Sequence, residues 1–214
     1  MIGAVAGKNQ SGTTSSPPAH NPASASPAPN TPTTPIGYTL FRSSADRFSI
    51  AIPRTWKAVD VTSPGAQAAI NQLEQTNPNL DTSFGQSALR LAEQGIVMMA
   101  VSVTPNAEGF SSNVNVTAKP DLTYTDADLT KIASQLPAEL SKLGATSVHT
   151  SYVTFDGRRA LKSTDSLPLN TPSGTKILVD QTQYFVGTNG LLFAITLSGN
   201  DPALATIASS FSTS

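Results

Sequence analysis

The chain of 214 residues contains no cysteine. That absence excludes disulfides, thiolate zinc sites, a cysteine nucleophile and lipid attachment through a cysteine. Histidine is scarce too: His20 and His149 are the two in the sequence, and no pair stands at zinc-ligand spacing. Charged residues make up 13% and the formal net charge is -1, so there is no extended positive field to attract phosphate backbones or anionic lipid. Composition therefore argues against nucleic acid and against peripheral membrane attachment by the folded part.

What is present divides sharply near residue 36. From Ser11 to Pro35 the sequence reads SGTTSSPPAHNPASASPAPNTPTTP, without one charge and with seven of the sixteen prolines. Proline fixes φ and removes a backbone donor, while Ser, Thr and Ala offer little apolar area, so nothing offsets the entropy of ordering. This stretch is expected to be a disordered, extended spacer that holds a domain away from an anchor. Ahead of it MIGAVAG, followed by Lys8, is far shorter than the roughly 20 residues that cross a bilayer. An apolar run, a lysine and then a spacer is the pattern at the outer end of a membrane anchor, so the expectation for residues 1–36 is a residual anchor end plus spacer. Residues 37–214 are expected to form one domain, long enough to bury about 70% of the surface of its unfolded chain.

In that domain Tyr38 and Leu40 alternate, then Phe48, Ile50 and Ile52, predicting a hairpin with one buried face, closed by Pro53 and capped at one end of the core by Trp56. Ser63 and Pro64 predict a helix start with Ile70 and Leu73 as its apolar pair, and Phe84 to Ala92 predict a second helix ending at Gly95. IVMMAVSV, residues 96–103, predicts a strand at the sheet centre with both faces covered, and NVNV, residues 113–116, a further short strand. Leu129, Ile132, Ala133, Leu136, Leu140 and Leu143 form a helical stripe, interrupted by Pro137, which requires either a kink or a second helix start. Asp156 and Gly157 predict a two-residue hairpin turn, GTNG a turn between KILVDQTQYFV and LLFAITL, and Asp201 with Pro202 a last helix carrying Leu204, Ile207, Ala208 and Phe211. Hairpins with helices at separated points indicate an α+β domain, an antiparallel β-sheet layered between α-helices.

The succession DRFSIAIPRTW, GFSSNVNV, an amphipathic helix, DGRRALKST, VDQTQYF, LLFAITL and ATIASSF resembles the superfamily of the photosystem II extrinsic protein PsbP, and within it the actinobacterial lipoproteins of the LpqN and LpqT type. The resemblance covers about residues 38–212 and implies an extracytoplasmic α/β/α sandwich that acts by binding rather than catalysis. The lipid-bearing cysteine of those lipoproteins is missing, so the resemblance implies a membrane tether only through an N-terminal anchor that the chain lacks.

The search for chemistry yields no catalytic, cofactor-binding or metal-binding residue set. His149 shares a strand face with Val153 and Phe155 and is expected to be partly covered and hydrogen-bonded. No G-x-S-x-G elbow occurs; Ser173 and Lys176 give S-x-x-K in what reads as a hairpin tip, and GRRALKS lacks the second glycine of a phosphate loop. Asp126 and Asp128 read as helix-capping acids rather than paired catalytic carboxylates, and Asn115 heads an N-V-T triplet that matters only in a glycosylating pathway. The expected function is a non-enzymatic cell-envelope binding or adaptor domain whose partner is an envelope protein or an apolar ligand. A small hydrolase using a surface serine with His149 is the alternative. Loops at residues 106–110 and 169–175 are the expected recognition segments.

Overall fold

The computed structural model describes residues 34–76, 95–121, 124–170 and 174–213. Residues 1–33 of the expected anchor end and spacer, residues 84–94 of the expected second helix, and Ser173 lie outside them.

Three strands form a small antiparallel sheet in the order β1-β2-β10, with β1 Tyr38–Ser43, β2 Phe48–Pro53 and β10 Ser212–Thr213. The large sheet is antiparallel throughout, in the order β3-β4-β5-β9-β8-β7-β6. Its strands are β3 Trp56–Asp60, β4 Ile96–Ser102, β5 Asn113–Pro120, β6 Thr146–Phe155, β7 Arg158–Asn170, β8 Lys176–Thr188 and β9 Leu191–Ser198. The helices are α1 Ala66–Thr76, α2 Asp126–Lys142 and α3 Ala203–Ser209. The result is the expected α+β class.

Two tight turns set the register of the outer large sheet. Asp156 and Gly157 both take positive φ, 50° and 69°, and so do Asn189 and Gly190 at 53° and 75°. Two such residues in succession match the twist of the strands they join. The second turn is shorter than the four residues of GTNG, because β8 runs through Gly187 and Thr188. The Asp156 carboxylate also accepts hydrogen bonds from the backbone N–H and hydroxyl of Thr213, at 3.0 and 2.6 Å, so this hairpin turn holds the C-terminal strand.

The main core lies between the two sheets. Phe48, Ile50 and Ile52 of β2, with Ile207, Ala208 and Phe211 of the C-terminal segment, meet Val114, Val116, Phe193, Ile195 and Leu197 of the large sheet. Trp56 belongs to this cluster, as expected of a core residue, but it opens β3, an edge strand the hydrophobic pattern did not reveal. The first hairpin is likewise not part of the main sheet. It forms a separate layer, and all six residues of β2 are buried instead of one alternating face, because β2 is the middle strand of that layer. Where β10 stops, the Ser210 hydroxyl oxygen accepts the Ala51 N–H at 2.8 Å and continues the ladder.

Other expectations shift for local reasons. α1 begins at Ala66, not at Ser63, because the Asp60 carboxylate takes the Thr62 N–H and the Ser63 hydroxyl donates back to the Asp60 carbonyl. These bonds build a turn before any helix can start. β4 is buried on both faces as expected, although it lies second from the sheet edge rather than at the centre. α2 runs unbroken past Pro137, so no second helix begins there. Its apolar stripe ends at Leu140: Leu143 is the C-cap residue and is 65% exposed.

Ile50 is fully buried in the main core, and a carboxylate there would have no partner. Ile50→Asp is expected to cost several kcal/mol and abolish cooperative unfolding. Thermal denaturation followed by circular dichroism checks this, and a melt like the wild type's would refute the placement of β2.

Candidate functional site

Directly paired residues in an antiparallel sheet project from the same face, so the register shows what each face carries. On the face turned to the small sheet the central strands present Val114, Val116, Phe193, Ile195 and Leu197. The other face is mixed. One row runs Thr117, Ala194, Phe185, Leu161. The next runs Asn115, Thr196, Gln183, Ser163, and the one after it Asn113, Ser198, Gln181, Asp165. Eight neutral-polar or acidic side chains thus form a band two residues deep across four adjacent strands. Within it the Gln181 amide donates to the Ser198 hydroxyl at 3.1 Å.

Beside the apolar row an open concavity of about 500 Å³ is lined by Ile96, Thr117, Lys119, Phe185, Leu192 and Ala194 from the sheet and Ile132 from α2. Its volume falls within the range of small-molecule sites, and five of its seven lining residues are apolar. Two smaller concavities, of about 290 and 300 Å³, lie elsewhere. The first runs along α3 past Lys162, Asp180, Tyr184 and Leu204, and the second borders Leu40, Phe41 and Trp56.

The band ends in an unusual pair. Ser163 is fully buried and Asp165 is 4% exposed, and neither the Ser163 hydroxyl nor either Asp165 carboxylate oxygen has a hydrogen-bond partner. Burial pushes the Asp165 carboxyl above the ordinary carboxylate range, and the charge of Asp180 adds to the effect. A third buried group, the Tyr124 hydroxyl, is also unpartnered. Burial, with Asp126 and Asp128 nearby, pushes it up to about 12. The Tyr124 ring lies flat on Gly187, where a Cβ would stand 2.0 Å from two ring carbons, so the absence of a side chain at Gly187 creates the seat for this ring.

The residues considered for chemistry are dispersed. Asp128 caps α2, its carboxylate accepting from the Thr125 N–H at 2.7 Å and the Thr125 hydroxyl at 2.8 Å. These bonds hold it below the usual carboxylate range. Asp126 instead pairs with Arg159 at 2.9 Å, and Arg159 lies over the Tyr152 ring, tying α2 to the outer strands. His149 is exposed, not partly covered as expected, because β6 is the edge strand. It pairs with Thr164 and so shares a face with Ser151 and Lys162, which oppose each other, while the buried Ser163 points to the other face. Lys176 is exposed at the start of β8, and Asn115 sits in the polar band of a central strand. The loop at 106–110 is closed by Asn106, whose side-chain oxygen accepts the N–H groups of Glu108 and Phe110. The polar band escaped the sequence reading because alternation in NVNVT and in AITLS locates faces only once the pairing register is known.

No protein-family model matches the sequence, and no curated protein matches it. Among solved structures, the cyanobacterial PsbP of Synechocystis sp. superposes with a TM-score of 0.52 at 14% identity, over 83% of this chain and 93% of that one. The fold is PsbP-like. A looser match is LpqN of Mycobacterium tuberculosis, a protein involved in cell envelope biogenesis, with a TM-score of 0.43 at 14% identity over 83% of this chain and 91% of that one. At such identity the PsbP-like likeness establishes the architecture and leaves activity to the residues themselves.

The raised Asp165 carboxyl has a signed consequence. The folded state holds this proton more tightly than the unfolded chain, so stability falls as pH rises from the ordinary carboxylate range through the raised value, then levels off. Asp165→Asn removes that loss. The variant is expected to melt above the wild type at neutral pH and together with it below the ordinary carboxylate range of about 4. Melting curves across that interval check this, and a difference independent of pH would refute it.

Proposed function

We propose that this PsbP-like domain is a non-enzymatic, extracytoplasmic binding or adaptor domain, presented in the cell envelope on the spacer of residues 11–35. The observation that carries the binding role is the apolar concavity on the mixed face of the large sheet, where Ile96, Ile132, Phe185, Leu192 and Ala194 converge beside a polar band. Such a surface suits an apolar ligand bearing some polar group. The extracytoplasmic placement draws its support from the uncharged Pro/Ser/Thr-rich run of residues 11–35.

An adaptor role for a protein partner has support of its own. β7 and β8 continue as a two-stranded arm, pairing Leu167 to Asn170 with Lys176 to Val179, beyond the last residues paired with β6 and β9. Leu178 on this arm is 63% exposed. Strand ends of this kind offer backbone groups and apolar side chains to another chain. The hydrolase alternative has less behind it, since among the described residues His149 and Ser151 share an exposed strand face without a nucleophile–base hydrogen bond between them.

Ala194→Phe fills the concavity with an uncharged side chain. It is expected to lower the affinity for an apolar fluorescent probe such as 1-anilinonaphthalene-8-sulfonate by about tenfold, as the loss of a buried apolar contact surface would, while His149→Ala leaves it unchanged. Fluorescence titration of both variants decides between the readings; probe binding insensitive to Ala194→Phe would exclude this concavity. For the location, protease added to intact cells is expected to remove the domain, and full protection would contradict an extracytoplasmic site.

A further inference from the structure

Among the described residues the lining of the concavity is apolar except at Thr117 and Lys119, and Lys119 is its one charged side chain. Lys119 stands on β5 directly opposite Leu192 of β9, at the end of the face away from Asp165. Its stem is laid over Gly95, where a Cβ would stand 3.4 Å from Lys119 Cε and 3.6 Å from Cγ. These are ordinary van der Waals distances, and the residue as a whole is exposed, so apolar carbons cover backbone while the ammonium is free to meet solvent or a ligand. Among the described residues the two ion pairs are Lys142–Glu139 and Arg159–Asp126, and neither engages Lys119.

An apolar floor with a single cation at its border has a definite complement. We propose that the concavity binds a single-chain anionic amphiphile, its hydrocarbon chain over Phe185, Leu192 and Ile132 and its carboxylate or phosphate on Lys119. This deepens the apolar-ligand reading and rests on it. A neutral chain gains only apolar burial, whereas an anionic head adds a charge-assisted hydrogen bond to the ammonium. A short anion without a chain gains only an exposed ion pair, worth little in water.

Calorimetric titration of the full chain tests this, with dodecanoate, dodecyl phosphate, dodecanol and acetate as probes, each below its aggregation concentration. Dodecanoate or dodecyl phosphate is expected to bind, and the stronger of the two identifies a fatty acid or a phosphate monoester as the natural head group. Dodecanol is expected to bind about fivefold or more weakly, the size of one ion pair near a surface, and acetate not measurably. Lys119→Gln is expected to bring the anionic probes down to the level of dodecanol, and Lys119→Arg to keep most of their affinity. Because Lys119 is exposed, both variants are expected to melt with the wild type, which shows that any loss is not unfolding. Equal binding of dodecanoate and dodecanol, unchanged by Lys119→Gln, would overturn the anionic head while leaving an apolar site in place. Failure of every chain compound to bind the wild type would overturn both.

Discussion

Contact between aromatic rings across the two sheets is the interaction on which the arrangement depends. Phe211, just past α3, lies 5.8 Å from Phe48 of the small sheet, 5.5 Å from Phe193 in the middle of the large sheet and 5.5 Å from Phe155 at its outer strand. Phe48 in turn meets Phe193 at 5.8 Å, and Phe155 stacks on Tyr184 at 4.3 Å. Each pair adds roughly 0.5–1.5 kcal/mol beyond its burial. More important is where the rings come from: Phe48, Phe155 and Phe193 are far apart in sequence, and Phe211 touches all of them. The packing of the small sheet on the large one is thus held by segments from distant parts of the chain.

That contact determines which surface is available for function. With β2, α3 and Phe211 covering it, the inner face of the large sheet is closed along its central strands and can be apolar without exception. The opposite face carries a different composition on the same strands. Val114 and Val116 alternate with Asn113, Asn115 and Thr117; Phe193, Ile195 and Leu197 alternate with Ala194, Thr196 and Ser198. A face that served only to seat helices would gain more from apolar residues at those positions. Each strand therefore presents a core face on one side and a mixed face on the other, and the period of two keeps them apart.

Much of this architecture was legible because it is written in local chemistry. The Asp156–Gly157 turn, the run at residues 96–102 and the stripe of α2 from Leu129 to Leu140 follow from turn residues and periodicity alone. What escaped depends on partners distant in the chain. β3 is five residues long with two exposed positions and looks unremarkable until it pairs with β4, and β10 is two residues whose identity as a strand comes from β2. Alternation over residues 38–53 predicts a hairpin but not the separate small sheet it belongs to, since alternation reports buried faces and is silent on what buries them. The candidate site was illegible for the same reason. Thr117, Ala194 and Phe185 become neighbours only through the β5–β9–β8 register, and Ile132 joins them only through the placement of α2.

The mixed face also has a direction. Lys119 and Asn113 are six residues apart on β5, which at about 3.3 Å per residue separates their rows by roughly 20 Å. Asp165 lies in the row of Asn113, which continues through Val101 to Lys57 on β3, while at the opposite end of the face Lys119 stands opposite Leu192. An acidic carboxyl buried without a hydrogen-bond partner costs stability, and nothing in the packing of β7 requires one there. Groups of this kind concentrate where something other than stability governs the residue. Along β7, β8, β9 and β5 the face therefore passes from the buried Asp165 through a polar row and a mixed row to Lys119 and Leu192. An amphiphile bound as proposed would have its chain over the apolar members of the last rows and its head group at Lys119.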